Sequence, residues 1–200
     1  MWKKKDIDLN EYSCEERFVD KKINTLYEYS KLFIDKDILG NIVQEISLYA
    51  ILSNINNPFI TDKLDLRKYM GINFLVSVIK LPQYRMYWTN TTKYSKIADE
   101  MSRNQFENIK RYLHINNNTE AKRRSEPGYD PLFKVRPFIE KLRGNFKSIS
   151  SEETNSVHEV LIPTKCRNFL KQYIKNKPHK WDVKMFTRCS VSGIIYDFEV

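Results

Sequence analysis

SVHEVLIP (residues 156–163) decides how this chain must be read, because it is short, apolar and rich in β-branched side chains. Two stretches of the same texture follow it, WDVKMFTRCSV (181–191) and SGIIYDFEV (192–200). The last two read as a hairpin turning at Ser192-Gly193. Upstream of residue 150 the apolar residues recur at helical spacing instead. The pattern therefore predicts an α+β chain, a mostly helical N-terminal region followed by three strands. Three strands without covering helices make a poor core and leave an unpaired edge.

Working back from residue 156, the spacing of Leu132, Val135, Phe138, Ile139, Leu142 and Phe146 predicts a helix over about 131–147. The polar TEAKRRSEPGYD (119–130) reads as an exposed loop. MSRNQFENIKRYLHINNN (101–118) carries the sharpest local signal. Ser102 and Gln105 form a capping box, and Met101 and Phe106 occupy the staple positions around it. Phe106, Ile109 and Leu113 make the expected buried face, with Arg103, Lys110 and Arg111 outside and Asn116-Asn117-Asn118 as the stop. Further back, Asp37 is the expected N-cap of a helix striped by Leu39, Ile42, Val43, Ile46, Tyr49 and Ala50. Thr61 is the expected N-cap of the next, which Leu81-Pro82 stops. The expected organisation is a loosely ordered arm over 1–27, a helical region over 28–150 and a strand region over 151–200.

Eleven Phe, twelve Tyr and three Trp among 200 residues argue against disorder, since such side chains offset the entropy of ordering. The net charge of +9 is unevenly placed. Residues 1–60 hold eight Lys/Arg against ten Asp/Glu, and residues 61–200 hold twenty-six against fifteen. Clustered cations release counterions when they meet phosphates, so this asymmetry favours a polyanion partner. Cys14, Cys166 and Cys189 are far apart and never in CxxC spacing, which suggests neither a disulfide framework nor a zinc site. The N-terminus lacks the apolar core of a signal peptide, and no apolar run approaches a membrane span. An intracellular, reduced chain is expected.

The basic residues are densest over 165–188, where Lys165, Arg167, Lys171, Lys175, Lys177, Lys180, Lys184 and Arg188 face one acid, Asp182. Phe169, Tyr173 and Trp181 are interleaved with them. Cations that track a phosphate backbone, with rings on which bases stack, have this composition. The bland alternative is a solvated hairpin with its rings turned inward. His114 and His179 lack metal partners at ligand spacing, and no nucleophile–base pair or Gly-rich phosphate loop is visible.

Several phrases in order carry a family pattern: LPQYRMYW (81–88), MSRNQFENIKRYLHINNN (101–118), DPLFKVRPFIEKL (130–142), SVHEVLIPTKCRNFLKQYIKNKPHKWDVKMF (156–186) and SGIIYDFEV (192–200). Together they resemble the piggyBac-type transposases and the host proteins derived from them, from about residue 28 to the C-terminus. The resemblance implies a helical DNA-binding and dimerisation region leading into the first three strands of an RNase H-like domain, incomplete here. It also implies a nuclear protein. Such enzymes use three Asp carboxylates to hold two Mg²⁺ ions, which activate water and then a 3′-hydroxyl for cleavage and transfer at inverted repeats. Two hard cations close together require anionic oxygen ligands.

The first of those carboxylates lies in a phrase of the type S-V-D-E, which here reads Ser156-Val157-His158-Glu159. An imidazole cannot bridge two Mg²⁺ ions, and Glu159 is expected on the opposite strand face. The later carboxylates and a cysteine-rich zinc module would lie beyond the third strand, where the chain ends at Val200. No metal site, and no cofactor, is therefore expected. Two family glycines are also replaced: F-K-G-R reads Thr164-Lys165-Cys166-Arg167, and K-W-G-x-K reads Lys180-Trp181-Asp182-Val183-Lys184. Each substitution is expected to strain left-handed or close-packed backbone. In the first helix the family's E-T-N reads Glu45-Ile46-Ser47.

Three functions fit these residues. The leading one is a catalytically inactive transposase-derived protein that retains DNA binding, through Lys165, Arg167, Lys171, Lys175, Lys177, Lys180 and Lys184, or dimerisation. The second is an interaction module pairing as a heterodimer with a full-length relative. The third is a fragment of an active metal-dependent transposase that tolerates His158.

Overall fold

The computed structural model describes residues 25–164, 170–175 and 180–200. It is a mixed helical and sheet structure. Among the described residues six α-helices precede the sheet: α1 (Leu26–Phe33), α2 (Lys36–Ser53), α3 (Lys63–Val78), α4 (Ser95–Ala98), α5 (Arg103–Tyr112) and α6 (Arg136–Lys147). Short 3-10 turns cover Tyr84–Trp88 and Asn118–Glu120. Four strands follow among the described residues: β1 (Asn155–Pro163), β2 (Lys171–Tyr173), β3 (Trp181–Ser190) and β4 (Ile195–Glu199). Compactness divides the chain between Leu142 and Arg143, within α6.

In the helical unit, local chemistry sets the element ends. The cap of α2 is Asp35 rather than the expected Asp37; its carboxylate accepts from the N–H groups of Asp37 and Ile38. Asp37 instead supplies negative charge in the first turn, where the helix dipole favours it. For α3 the cap is Asp62, not Thr61, and its side chain accepts from Asp65 N. Thr61 is buried, and its hydroxyl has no hydrogen-bond partner among the described residues. Ser102 caps α5 as expected, with Oγ accepting from Gln105 N at 3.2 Å. Met101 and Phe106 are both buried, as a hydrophobic staple requires.

α6 begins at Arg136 rather than near 131. The Asp130 carboxylate accepts from Leu132 N and pairs with Arg136, which holds 130–135 as successive turns. Pro137 then stands in the first helical turn, where its missing N–H is harmless. Residues 121–128 are exposed throughout, and Gly128 takes φ +77° at the turn.

The core of this unit joins Ile38, Leu39, Ile42 and Ile46 of α2 to Leu66, Tyr69 and Ile72 of α3 and to Phe106 and Ile109 of α5. Leu113, expected inside, is exposed at the C-terminal cap of α5. Phe106 packs between Tyr69 and Trp88, with ring centroids at 4.9 and 5.2 Å. The Trp88 indole N–H donates to Met101 O at 2.8 Å, so its one polar atom is satisfied beside the core.

The three expected strands are β1, β3 and β4, and the three-residue β2 joins them in an antiparallel sheet. β3 is central. β1 runs along one side of it, from Asn155 opposite Ser190 to Pro163 opposite Asp182. β2 and β4 share the other side, β2 against 181–183 and β4 against 186–189. The β3–β4 connection is the expected hairpin, with Gly193 at φ +85°. Tyr196, Phe198, Thr187 and Ser190 form the buried centre of this unit, and Phe146 meets Phe198 edge-on at 5.8 Å. β1, by contrast, is exposed along nearly its whole length.

Candidate nucleic-acid interface

Strand register assigns side chains to faces, since residues directly opposite share a face and neighbours alternate. His158 lies opposite Thr187, and Glu159 opposite Phe186, so the two point to opposite sides of the sheet. His158 is exposed, with Nε2 at 2.8 Å from Ser156 Oγ. Glu159 is engaged by Lys184 Nζ at 3.4 Å. Among the described residues no group of three or more His, Cys, Asp or Glu gathers closely enough to hold a metal ion. The donors at this position, an imidazole nitrogen and a serine hydroxyl, do not fit paired Mg²⁺ ions, which require anionic oxygens.

Of the seven expected DNA-contacting residues, Lys165, Arg167 and Lys177 lie outside the described residues, as do Phe169 and His179. The other four lie at one end of the sheet. Lys171 is half-buried on β2, Lys175 and Lys180 are exposed where β2 ends and β3 begins, and Lys184 is half-buried on β3. Lys184 stands apart chemically, because Glu159 partly neutralises it. Among the described residues Lys171, Lys175 and Lys180 have no ion-pair partner.

Tyr173 and Trp181 are cross-strand partners in this region, with ring centroids 5.1 Å apart and planes at 61°. They are 52% and 53% exposed, so the reading in which these two rings turn inward does not describe them. Lys171 shares their face, being two residues from Tyr173 on the same strand.

Asp182 corrects one expectation. Among the described residues no side-chain-bearing residue has a positive φ, so the residue replacing that family glycine imposes no left-handed strain. Its cost is different: the residue is 2% exposed, and among the described residues Oδ1 has no hydrogen-bond partner. The same burial removes the one acid of the basic stretch from the surface. Cys166, at the other replaced glycine, lies outside the described residues.

Other charged groups pair within their own unit. Arg143 donates from Nε and Nη2 to the two oxygens of Asp197, and that hydrogen-bonded guanidinium holds the carboxyl below its ordinary range, with Lys147 and Phe198 N–H adding to the effect. Arg136 does the same for Asp130 in the helical unit. His114 stacks on Tyr49 at 3.6 Å, with Nδ1 at 3.1 Å from Tyr112 O, a helix-end packing role. Arg103, Lys110 and Arg111 are exposed on α5, and Lys110 lies over the Tyr84 ring at 4.5 Å. Among the described residues no helix is long and apolar enough to cross a membrane.

A family model described as Transposase IS4 matches residues 26–200. The human PiggyBac transposable element-derived protein 3 is 28% identical over 180 residues, covering 88% of this chain and 29% of that protein. The human PiggyBac transposable element-derived protein 2 is 28% identical over 207 aligned positions, covering 100% of this chain and 34% of that protein. The chain thus spans about a third of the length of these curated relatives. A solved piggyBac transposase, determined by cryo-EM in a synaptic complex with hairpin DNA, superposes with a TM-score of 0.72 at 19% identity. That match covers 84% of this chain and 37% of the other, and it makes the four-stranded sheet consistent with part of an RNase H-like domain. With the family model matched from residue 26 to residue 200, the chain belongs to the Transposase IS4 family, as one of its piggyBac-type members.

Proposed function

We propose that this protein is a catalytically inactive, transposase-derived member of its family that contacts DNA through the basic end of its sheet. The observation that carries the first half is His158. It stands where the family's first metal-binding Asp is expected, while Glu159 projects from the other face and is paired with Lys184. The second half is supported by Lys171, Lys175 and Lys180, which have no ion-pair partner among the described residues and lie around two exposed rings. The structural relative's DNA complex supports the same partner. The proposed DNA contact is in keeping with the nuclear location that the family resemblance implies, and the helical unit is the proposed dimerisation region.

The test is a gel shift with inverted-repeat and scrambled duplexes at two salt concentrations, beside a Mg²⁺-dependent nicking assay. Salt-sensitive binding without nicking supports the proposal. Nicking of transposon-end DNA by the purified chain would instead support the active-fragment reading. One observation favours a second reading, an interaction module for a full-length relative: β1 is exposed and pairs on one side only among the described residues. Co-sedimentation with such a relative tests it, and a monomer that fails to bind would remove it.

A further inference from the structure

Large rings in contact with one another ordinarily bury themselves, because apolar surface removed from water stabilises the fold. Tyr173 and Trp181 touch across the β2–β3 ladder yet each keeps about half its surface in solvent, at 52% and 53%. Exposed apolar surface ringed by polar groups marks a contact site. The charge around it specifies the partner. Lys171 shares the face, Lys175 and Lys180 flank the strand ends, and the neighbouring acid, Asp182, is buried on the opposite face. An apolar protein surface would desolvate these cations without compensating them, whereas a phosphodiester strand supplies both negative charge and flat aromatic groups.

We infer that the Tyr173–Trp181 pair is a stacking platform for unpaired nucleobases, so that this end of the sheet takes single-stranded or open DNA in preference to continuous duplex. The inference rests on the DNA-contact reading and goes beyond it. In an intact duplex each base face is covered by its neighbours, and only edges and phosphates are available. The lysines can attract any DNA, since the phosphate backbone is common to all. The rings add affinity only where a base presents its π-face, and this preference is independent of sequence. Two rings at 61° suit a strand whose bases are already splayed, because they offer differently tilted surfaces rather than one intercalation slot.

The experiment uses the full chain and three probes: a blunt duplex, the same duplex with an unpaired oligo-dT tail, and oligo-dT alone. Wild type, Trp181→Ala, Trp181→Phe and Lys171→Ala are compared after circular dichroism and melting show that each folds. The tailed duplex is expected to bind about tenfold more tightly than the blunt one, a stacking-sized preference. Trp181→Ala should remove that preference while leaving blunt-duplex affinity in place, and Trp181→Phe should restore most of it. Lys171→Ala should weaken all three probes by a similar factor. Trp181 fluorescence, identified by its loss in Trp181→Phe, should be quenched by oligo-dT. Equal affinity for blunt and tailed duplex in the wild type would overturn the inference while leaving DNA contact intact. Binding to no probe would remove both. Self-association abolished by Trp181→Ala, without any tail preference, would make the pair a protein contact and likewise overturn it.

Discussion

Arg143 and Asp197, 54 residues apart in sequence, meet through two hydrogen bonds, with Nε to Oδ1 at 2.5 Å. Both side chains are about three-quarters buried, so the pair is stronger than an exposed one. Arg143 also pairs with Glu199, and Lys147 reaches Asp197 at 3.5 Å, so residues 143–147 are tied to β4 by charge as well as by Phe146. Arg143→Ala is expected to cost about 1–2 kcal/mol of stability, read by chemical denaturation.

The same contact carries a pH dependence. The Arg143 hydrogen bond lowers the folded-state pKa of Asp197, and Arg136 lowers that of Asp130. A carboxylate depressed in the folded state stabilises above its unfolded value, near 3.9, and that stabilisation is lost as pH falls through the folded value. Stability should therefore hold above about pH 4 and fall below it. Asp197→Asn should flatten the acid limb, and an unchanged limb would show that the pair is not formed in solution.

The α5 cap gives a local prediction. Ser102 Oγ satisfies one of the N–H groups that a helix start leaves unpaired, so Ser102→Ala should cost about 1 kcal/mol. Ile109→Ala, at a fully buried position of the same helix, should cost about 2–5 kcal/mol. Equal effects of the two would contradict the assignment of these roles.

Asp182 is predicted to behave unlike most buried residues. Its Oδ1 has no hydrogen-bond partner among the described residues, so Asp182→Ala should leave stability unchanged or raise it. A loss above about 1 kcal/mol would show that the carboxylate is satisfied in solution. His158→Asp, at an exposed strand position, should change stability by less than about 0.5 kcal/mol.

The sequence made legible those features that depend on near neighbours. The Ser102–Gln105 spacing located α5, because a cap acts within one turn. The Ser192-Gly193 turn located the β3–β4 hairpin, because positive φ favours glycine there. Asp37 and Thr61 were displaced as caps by Asp35 and Asp62, one or two residues away, since several side chains nearby offered the same acceptor. β2 is not legible in the sequence because three residues show no periodicity, and its position depends on β3. The exposure of Tyr173 and Trp181, like the burial of Asp182, is a tertiary outcome that composition does not encode. His158 was legible at once, because its chemistry, rather than its packing, departs from the family.

DNA contact by the basic sheet end, as proposed above, is tested by the salt slope of duplex binding. Log affinity falls with log salt at about 0.9 per phosphate neutralised. Replacing Lys171, Lys175 and Lys180 together by Ala should reduce that slope by about 2–3 and weaken scrambled and inverted-repeat duplexes alike. A triple variant with the wild-type slope and affinity would show that these lysines do not contact DNA.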